Sequence, residues 1–299
     1  MAIRSTKHHA KLRTAVLTGS ALVAFAANSV LCRLALGSAS IDAASFSTIR
    51  LVSGAVTLLL LATVSRQRSE SRYRGSWISA GMLFLYAVPF SFAYVSLSTG
   101  TGALILFGAV QVTMILAALV FGERPQLLEW VGLSIALMGL VYLVFPGLQA
   151  PSLAGSALMT VAGISWGVYS LRGRGHLDPA VATTSNFVRS VPMVLVVSLV
   201  TLRHIHVTPA GAVLAVLSGS LASGIGYVVW YAALRGLTAT RAATVQLAVP
   251  ALAALGGVVF LAEEVSLRLI LSAILILSGL GLSMAGRKRS IHPPVAKPG

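Results

Sequence analysis

Ten apolar runs follow one another along the chain, separated by short polar breaks. They cover residues 14–36, 43–64, 76–97, 100–121, 127–146, 153–171, 180–202, 210–234, 239–261 and 266–286. A helix that crosses a bilayer needs about 20 mostly apolar residues, and a buried strand far fewer. The runs are also dense in Leu, Ala and Gly. The pattern predicts an all-α integral membrane protein with ten transmembrane helices.

The polar positions add a second regularity. Arg33 and Arg172 lie 139 residues apart, as do Arg50 and Arg189; Glu123 and Glu263 lie 140 apart, as do Gly139 and Gly279. Arginines inside apolar runs and acids anywhere are scarce here, so the coincidence argues for one unit written twice. It divides the chain into a first five-helix repeat at 14–146 and a second at 153–286, with basic tails at 1–13 and 287–299. Five crossings is an odd number, so the second unit is inverted relative to the first. The expectation is two five-helix inverted repeats, an architecture of many secondary transporters.

Composition agrees. The 299 residues are 57% hydrophobic and 10% charged, with a mean hydropathy of +0.89, whereas soluble domains carry roughly 25% charged residues. The single cysteine, Cys32, excludes a disulfide framework and a multi-cysteine metal site; no metal and no cofactor are expected. A net charge of +15 raises the question of nucleic acid. With ten spans, however, 17 of the 22 Lys and Arg fall on one side of the membrane, between or beside the apolar runs. The other side keeps Arg33, Arg203 and Arg268, while Arg50 and Arg189 lie within spans. That asymmetry follows the positive-inside rule and predicts cytoplasmic termini in a multi-pass protein of a bacterial inner (plasma) membrane. The expected partners are the lipid bilayer and a small-molecule substrate, and not nucleic acid. The basic leader followed by Ala24-Phe25-Ala26 mimics a secretory cleavage site. Cleavage there would delete the first helix and leave its repeat counterpart unmatched.

Several residues recur in order at the repeat spacing: Asn28, Arg33, Arg50 and Gly122-Glu123, then Trp166-Gly167-Val168-Tyr169, Tyr231-Ala232-Ala233-Leu234, Pro250 and Glu263. On this ordered set, over about residues 14–286, the chain resembles the drug/metabolite transporter superfamily in its EamA-like ten-helix branch. The resemblance implies a 5+5 inverted-repeat helical bundle around a central substrate cavity. Members of that superfamily move amino acids, sugars, nucleobases and other metabolites, so the resemblance names no cargo. The chain departs from the pattern where Val110 stands opposite Pro250 and where Ala27-Asn28 replaces a frequent Trp-Gly pair.

The candidate chemistry starts from an absence. All seven acids and all six histidines fall in connections or at span ends. Proton-coupled carriers usually hold a titratable side chain within the membrane, so a substrate gradient is the expected driving force. An enzyme of the hydrolase kind needs a base beside its nucleophile, and none is available in the spans. Arg50 and Arg189 have two readings: capture of a substrate anion by a guanidinium fork, or a structural role in which each snorkels or caps carbonyls. The amides Asn28, Gln111 and Gln246 and the aromatic residues Tyr86, Phe90, Trp166 and Tyr227 are the candidates for substrate binding. Tyr86, Phe90 and Tyr94 recur every four residues and so share one helix face. Pro89, Pro192 and Pro250 are candidate hinges. Small residues at Gly132, Ala136 and Gly139, matched by Ser272 and Gly279, mark close helix packing or a homodimer face. The predicted function is a secondary transporter, an exporter or exchanger, of a small polar or amphipathic metabolite such as an amino acid. It would work by alternating access around a central cavity. Efflux of aromatic or drug-like compounds, or a channel or scramblase activity, is the alternative.

Overall fold

Within the described residues, the apolar runs fold as helices. The computed structural model describes residues 2–64, 75–120, 127–145, 150–173, 179–237 and 245–286. Glu123 and most of the clustered cations, including Arg4, Lys7, Lys11, Arg66 to Arg74 and the basic residues after Gly286, lie outside the described residues or their described side chains. The helices are α1 (Ala2–Gly37), α2 (Ala43–Val64), α3 (Trp77–Tyr94), α4 (Thr99–Val120) and α5 (Leu127–Val144). They continue with α6 (Leu153–Gly173), α7 (Pro179–Val200), α8 (Pro209–Leu234), α9 (Ala248–Leu261) and α10 (Leu267–Gly286).

Seven of the described helices are long and apolar enough to cross a membrane; Ala248–Leu261 and Leu267–Ser283 are apolar but shorter. α6 is the least typical. It carries Ser156, Ser165, Trp166 and Tyr169 on its buried side and packs between α3 and α4. Polar side chains on that helix face protein, where hydrogen-bonding partners exist, and not lipid.

Local chemistry sets the helix starts. Ser76 caps α3 by accepting from the Ser79 N–H at 3.1 Å, and Thr208 caps α8 by accepting from Gly211 at 3.1 Å. Asp42 does the same for α2, accepting from the Ser45 N–H at 2.9 Å. Its second oxygen accepts from the His206 N–H at 3.0 Å, which ties the α1–α2 link to the α7–α8 link. Partial burial pushes the Asp42 carboxyl up, but the hydrogen bonds from Ser45, His206 and Ala44 outweigh it and hold the group below its ordinary value of 3.8.

Two expectations change. The run at 210–234 is helical throughout, yet Ser218–Ile225 is wound as a π-helix. Gly219 lies against α2 so closely that a Cβ would collide with the Arg50 carbonyl and Ser53 Oγ. A widened turn of small residues fits this approach, and such turns mark functional positions. The run at 239–261 is interrupted by a turn at Leu247, and α9 starts at Ala248. Pro250 therefore stands in a first helical turn, where its missing N–H is harmless, whereas Pro89 and Pro192 lie inside α3 and α7.

The packing pairs α1 with α8 and α9, α6 with α3 and α4, α2 with α7 and α8, α3 with α7, and α4 with α9. α5 and α10 form the most extensive pair. A Cβ on Gly279 would come within 2.6 Å of Ala136 N and Gly132 O. The small-residue faces are thus used against each other inside the chain, which explains them without a second copy. Replacing Gly279 by Leu is expected to separate α5 from α10 and abolish folded, monodisperse protein in size-exclusion chromatography. Lowering the pH through and below about 3.8 protonates Asp42 and removes the stability its ionised form contributes at higher pH. Thermal melts should show this acid limb flattened in Asp42→Asn.

Candidate functional site

α3 builds one wall. Its four-residue spacing sets Tyr86 at a tilt against Phe90, 5.3 Å between ring centroids, and Phe90 edge-on to Tyr94 at 4.8 Å. α1 presents Phe25, Asn28 and Ser29, one turn apart and so on one face. α4 adds Leu106 and Phe107, α6 adds Trp166 and α8 adds Tyr227. Together these residues enclose a small central cavity with room for about one water molecule. Phe25 meets Trp166, Tyr227 and Trp230 edge-on at 6.2, 6.0 and 5.7 Å. Trp166 lies 4.9 Å from both Tyr86 and Tyr227.

A polar chain runs along this wall. Ser218 Oγ donates to Asn28 Oδ1 at 2.6 Å, and Asn28 Nδ2 donates to Tyr86 Oη at 3.1 Å. Arg50 Nη2 donates to the same Tyr86 oxygen at 3.0 Å, and Arg50 Nε donates to Ser223 Oγ at 3.3 Å. Ser218 and Ser223 both come from the π-helical segment, so the irregular turn positions two of the five side chains in this network. Arg50 is 1% exposed. Its guanidinium lies over the rings of Phe90 and Tyr86, 4.8 and 5.1 Å from their centroids. Nη1 has no hydrogen-bond partner, and no described acid forms an ion pair with the group.

Of the sequence candidates, Asn28, Tyr86, Phe90, Trp166 and Tyr227 converge on the cavity. Gln111 and Gln246 are buried but stand apart from the lining, Gln111 with its Nε2 unpartnered. The two arginines at the repeat spacing are placed differently. Arg189 is partly exposed, donates to the Gly75 carbonyl and to Ser185 Oγ, and lies over Trp77. It fits the carbonyl-capping description. Arg50 does not snorkel, because the π-helical segment and α3 close over it.

Phe25, Ser218 and Ser223 were not among the candidates. Phe25 was legible: it lies one turn before Asn28. Nothing in the spacing marks the two serines, which stand among other small residues in the run at 210–234.

Among the described residues, the two ends of the bundle carry different contacts. At one, Arg33 Nε pairs with Glu263 Oε1 at 3.2 Å and Arg33 Nη1 donates to the Tyr94 and Val95 carbonyls. Glu263 Oε2 accepts from the Thr99 N–H at 2.8 Å. Glu263 is therefore held at the bundle end and does not fold into the cavity. Towards the other end a second small cavity is lined by hydroxyls and an amide, Ser79, Tyr169, Thr183, Asn186 and Tyr231. Arg172 donates to Ser79 Oγ at its edge at 3.1 Å.

The sequence model of a family described as the EamA-like transporter family matches residues 13–145 and again residues 153–285. The chain belongs to this family. It is accordingly a multi-pass membrane transport protein. An uncharacterized protein of Pseudomonas aeruginosa is 48% identical over 275 residues, 92% of this chain and 96% of that one. A probable amino-acid metabolite efflux pump of Salmonella typhimurium is 27% identical over 62% of this chain and 68% of its own. A threonine/homoserine exporter of Escherichia coli is 28% identical over 61% and 63%. A solved crystal structure superposes with a TM-score of 0.63 at 19% identity, covering 92% of this chain and 98% of the other, and shares the fold.

Phe25 holds the aromatic cluster together. Phe25→Ala is expected to destabilise the protein by about 3 kcal/mol. It should also shift the emission of neighbouring Trp166 and Trp230 to longer wavelength, measured by fluorescence alongside the melt.

Proposed function

We propose that this EamA-like protein is a secondary transporter for a small polar or amphipathic metabolite carrying a carboxylate, such as an amino acid or a simpler organic acid, working as an exporter or exchanger. The observation that carries the reading is Arg50: a buried guanidinium with a free nitrogen, in contact with two residues that line the central cavity. A carboxylate is the natural complement of such a group. The names of the amino-acid efflux pump and the threonine/homoserine exporter support the same class.

Alternating access supplies the mechanism. The cavity has room for about one water, so cargo is admitted only when the helices around it part. Two inverted repeats would let them part towards either side in turn. The packing supports that arrangement. Advancing helix numbers by five converts the α1–α8 and α1–α9 contacts into α6–α3 and α6–α4, and leaves α2–α7, α4–α9 and α5–α10 unchanged. The family match, found twice in tandem, supports it as well. We assign all ten helices as spans, 14–146 and 153–286 as the repeats, the tails to the cytoplasm, and the protein to a bacterial inner membrane, on the positive-inside distribution. Asn28, Tyr86, Phe90, Trp166 and Tyr227 form the binding site in this reading, Arg189 is structural, and Pro89 and Pro192 serve as hinges. The aromatic lining favours one second reading, efflux of aromatic or drug-like compounds.

Counterflow in proteoliposomes tests the carrier. Preloading with unlabelled cargo from a panel of amino acids and related carboxylates should accelerate uptake of the same labelled compound; no acceleration with any of them contradicts a carrier of this class. Arg50→Gln should lower the rate about tenfold or more, while folded Arg189→Ala retains it.

A further inference from the structure

We infer that the central site is built for a carboxylate without a companion ammonium: an amphipathic monocarboxylate with a flat apolar body, and not a zwitterionic amino acid. This cargo assignment rests on the transporter reading above and narrows it. Its ground is an imbalance between donors and acceptors.

Tyr86 Oη accepts from both Asn28 and Arg50, so its acceptor capacity is filled and its own proton is left to give away. On the same cavity Tyr227 Oη adjoins the Tyr86 hydroxyl but forms no hydrogen bond of normal geometry, and Arg50 Nη1, over the Tyr86 and Phe90 rings, has no partner. Asn28 is committed on both sides, its oxygen to Ser218 and its nitrogen to Tyr86. No acid lines the cavity. The free capacity beside the cavity is therefore hydroxyl and guanidinium N–H, with no carboxylate, and the local charge is positive.

A carboxylate supplies what is lacking, one negative charge and several lone pairs. An ammonium would bring three donors and a second positive charge, with no carboxylate to receive them. A phosphate carries close to two negative charges and calls for a second cation, whereas one guanidinium matches one carboxylate. The aromatic rings could in principle hold an ammonium by cation–π contact. Here, however, Arg50 already occupies Phe90 and Tyr86 in that way and repels another cation. Phe25 and Trp166 then leave edges and faces for a flat apolar body. The amino-acid exporters among the relatives are 27–28% identical, which leaves cargo free to differ.

Three probes sharing one ring separate the head groups: phenylpropionate (carboxylate), phenylalanine (carboxylate and ammonium) and phenethylamine (ammonium). Binding to the purified full chain in detergent is read by tryptophan quenching and by thermal shift. Phenylpropionate is expected to bind roughly tenfold or more tightly than phenylalanine, and phenethylamine not at all. Tyr227→Phe, which removes one free donor and keeps the ring, should weaken phenylpropionate several-fold while leaving the melting temperature near wild type. Arg50→Gln should erase the preference for the carboxylate. Phenylalanine binding as tightly as phenylpropionate, phenethylamine competing with it, or no binding by any of the three overturns the inference. If phenylalanine binds best and shows counterflow, the transporter reading stands without this refinement; if nothing binds and no cargo shows counterflow, both fall.

Discussion

A positive charge that cannot reach water organises the middle of this protein. An isolated cation in a low-dielectric interior is expensive unless its surroundings compensate it. Around Arg50 they do so in parts: two hydroxyls take hydrogen bonds, two ring faces receive the guanidinium, and one nitrogen is left over. Each part makes a demand on the fold. The serine at 223 reaches Arg50 from the π-helical segment, and that segment approaches α2 closely enough that position 219 admits only Gly. Tyr86 reaches it because the four-residue period of α3 turns Tyr86, Phe90 and Tyr94 to the same side.

The remaining helices hold this centre in place from a distance. α5 and α10 interlock through glycines and form a rigid flank away from the cavity. Arg33 and Glu263 fasten four helix ends with charge-assisted bonds, and Asp42 fastens two links at the same end. The opposite end holds Arg172 through serine hydroxyls. Neutral hydroxyl partners bind a cation more weakly than a carboxylate does, a contrast between the two ends that holds among the described residues. Between them the cavity walls are aromatic rings, which separate with little loss of directional bonding.

Much of this was legible in the sequence because bilayer length is a strong constraint. The helices followed from apolar length, and the aromatic face of α3 from simple spacing. Asn28, Trp166 and Tyr227 stood out because polar and aromatic groups in mid-span need a reason. What the sequence concealed depends on contacts between helices. Arg50 and Arg189 share a repeat position, yet one is enclosed by a π turn and the other lies beside an open carbonyl at Gly75. Nothing in the spacing announces that turn, since Ser-Gly-Ser-Leu-Ala-Ser-Gly-Ile reads as ordinary small-residue packing. Gln111 looked equivalent to Asn28 by composition, but its place on α4 keeps it off the cavity lining. Pro250 looked like a mid-span kink because the break at Leu247 depends on tertiary context.

The central claim is that the cargo's charge completes the coordination of Arg50. A cryo-electron microscopy or crystal structure of the full chain with phenylpropionate tests it most directly. The account predicts a carboxylate oxygen at about 2.8 Å from Arg50 Nη1, with the ring against Phe25 and Trp166. A carboxylate held elsewhere, with Arg50 Nη1 still unpartnered, would contradict it.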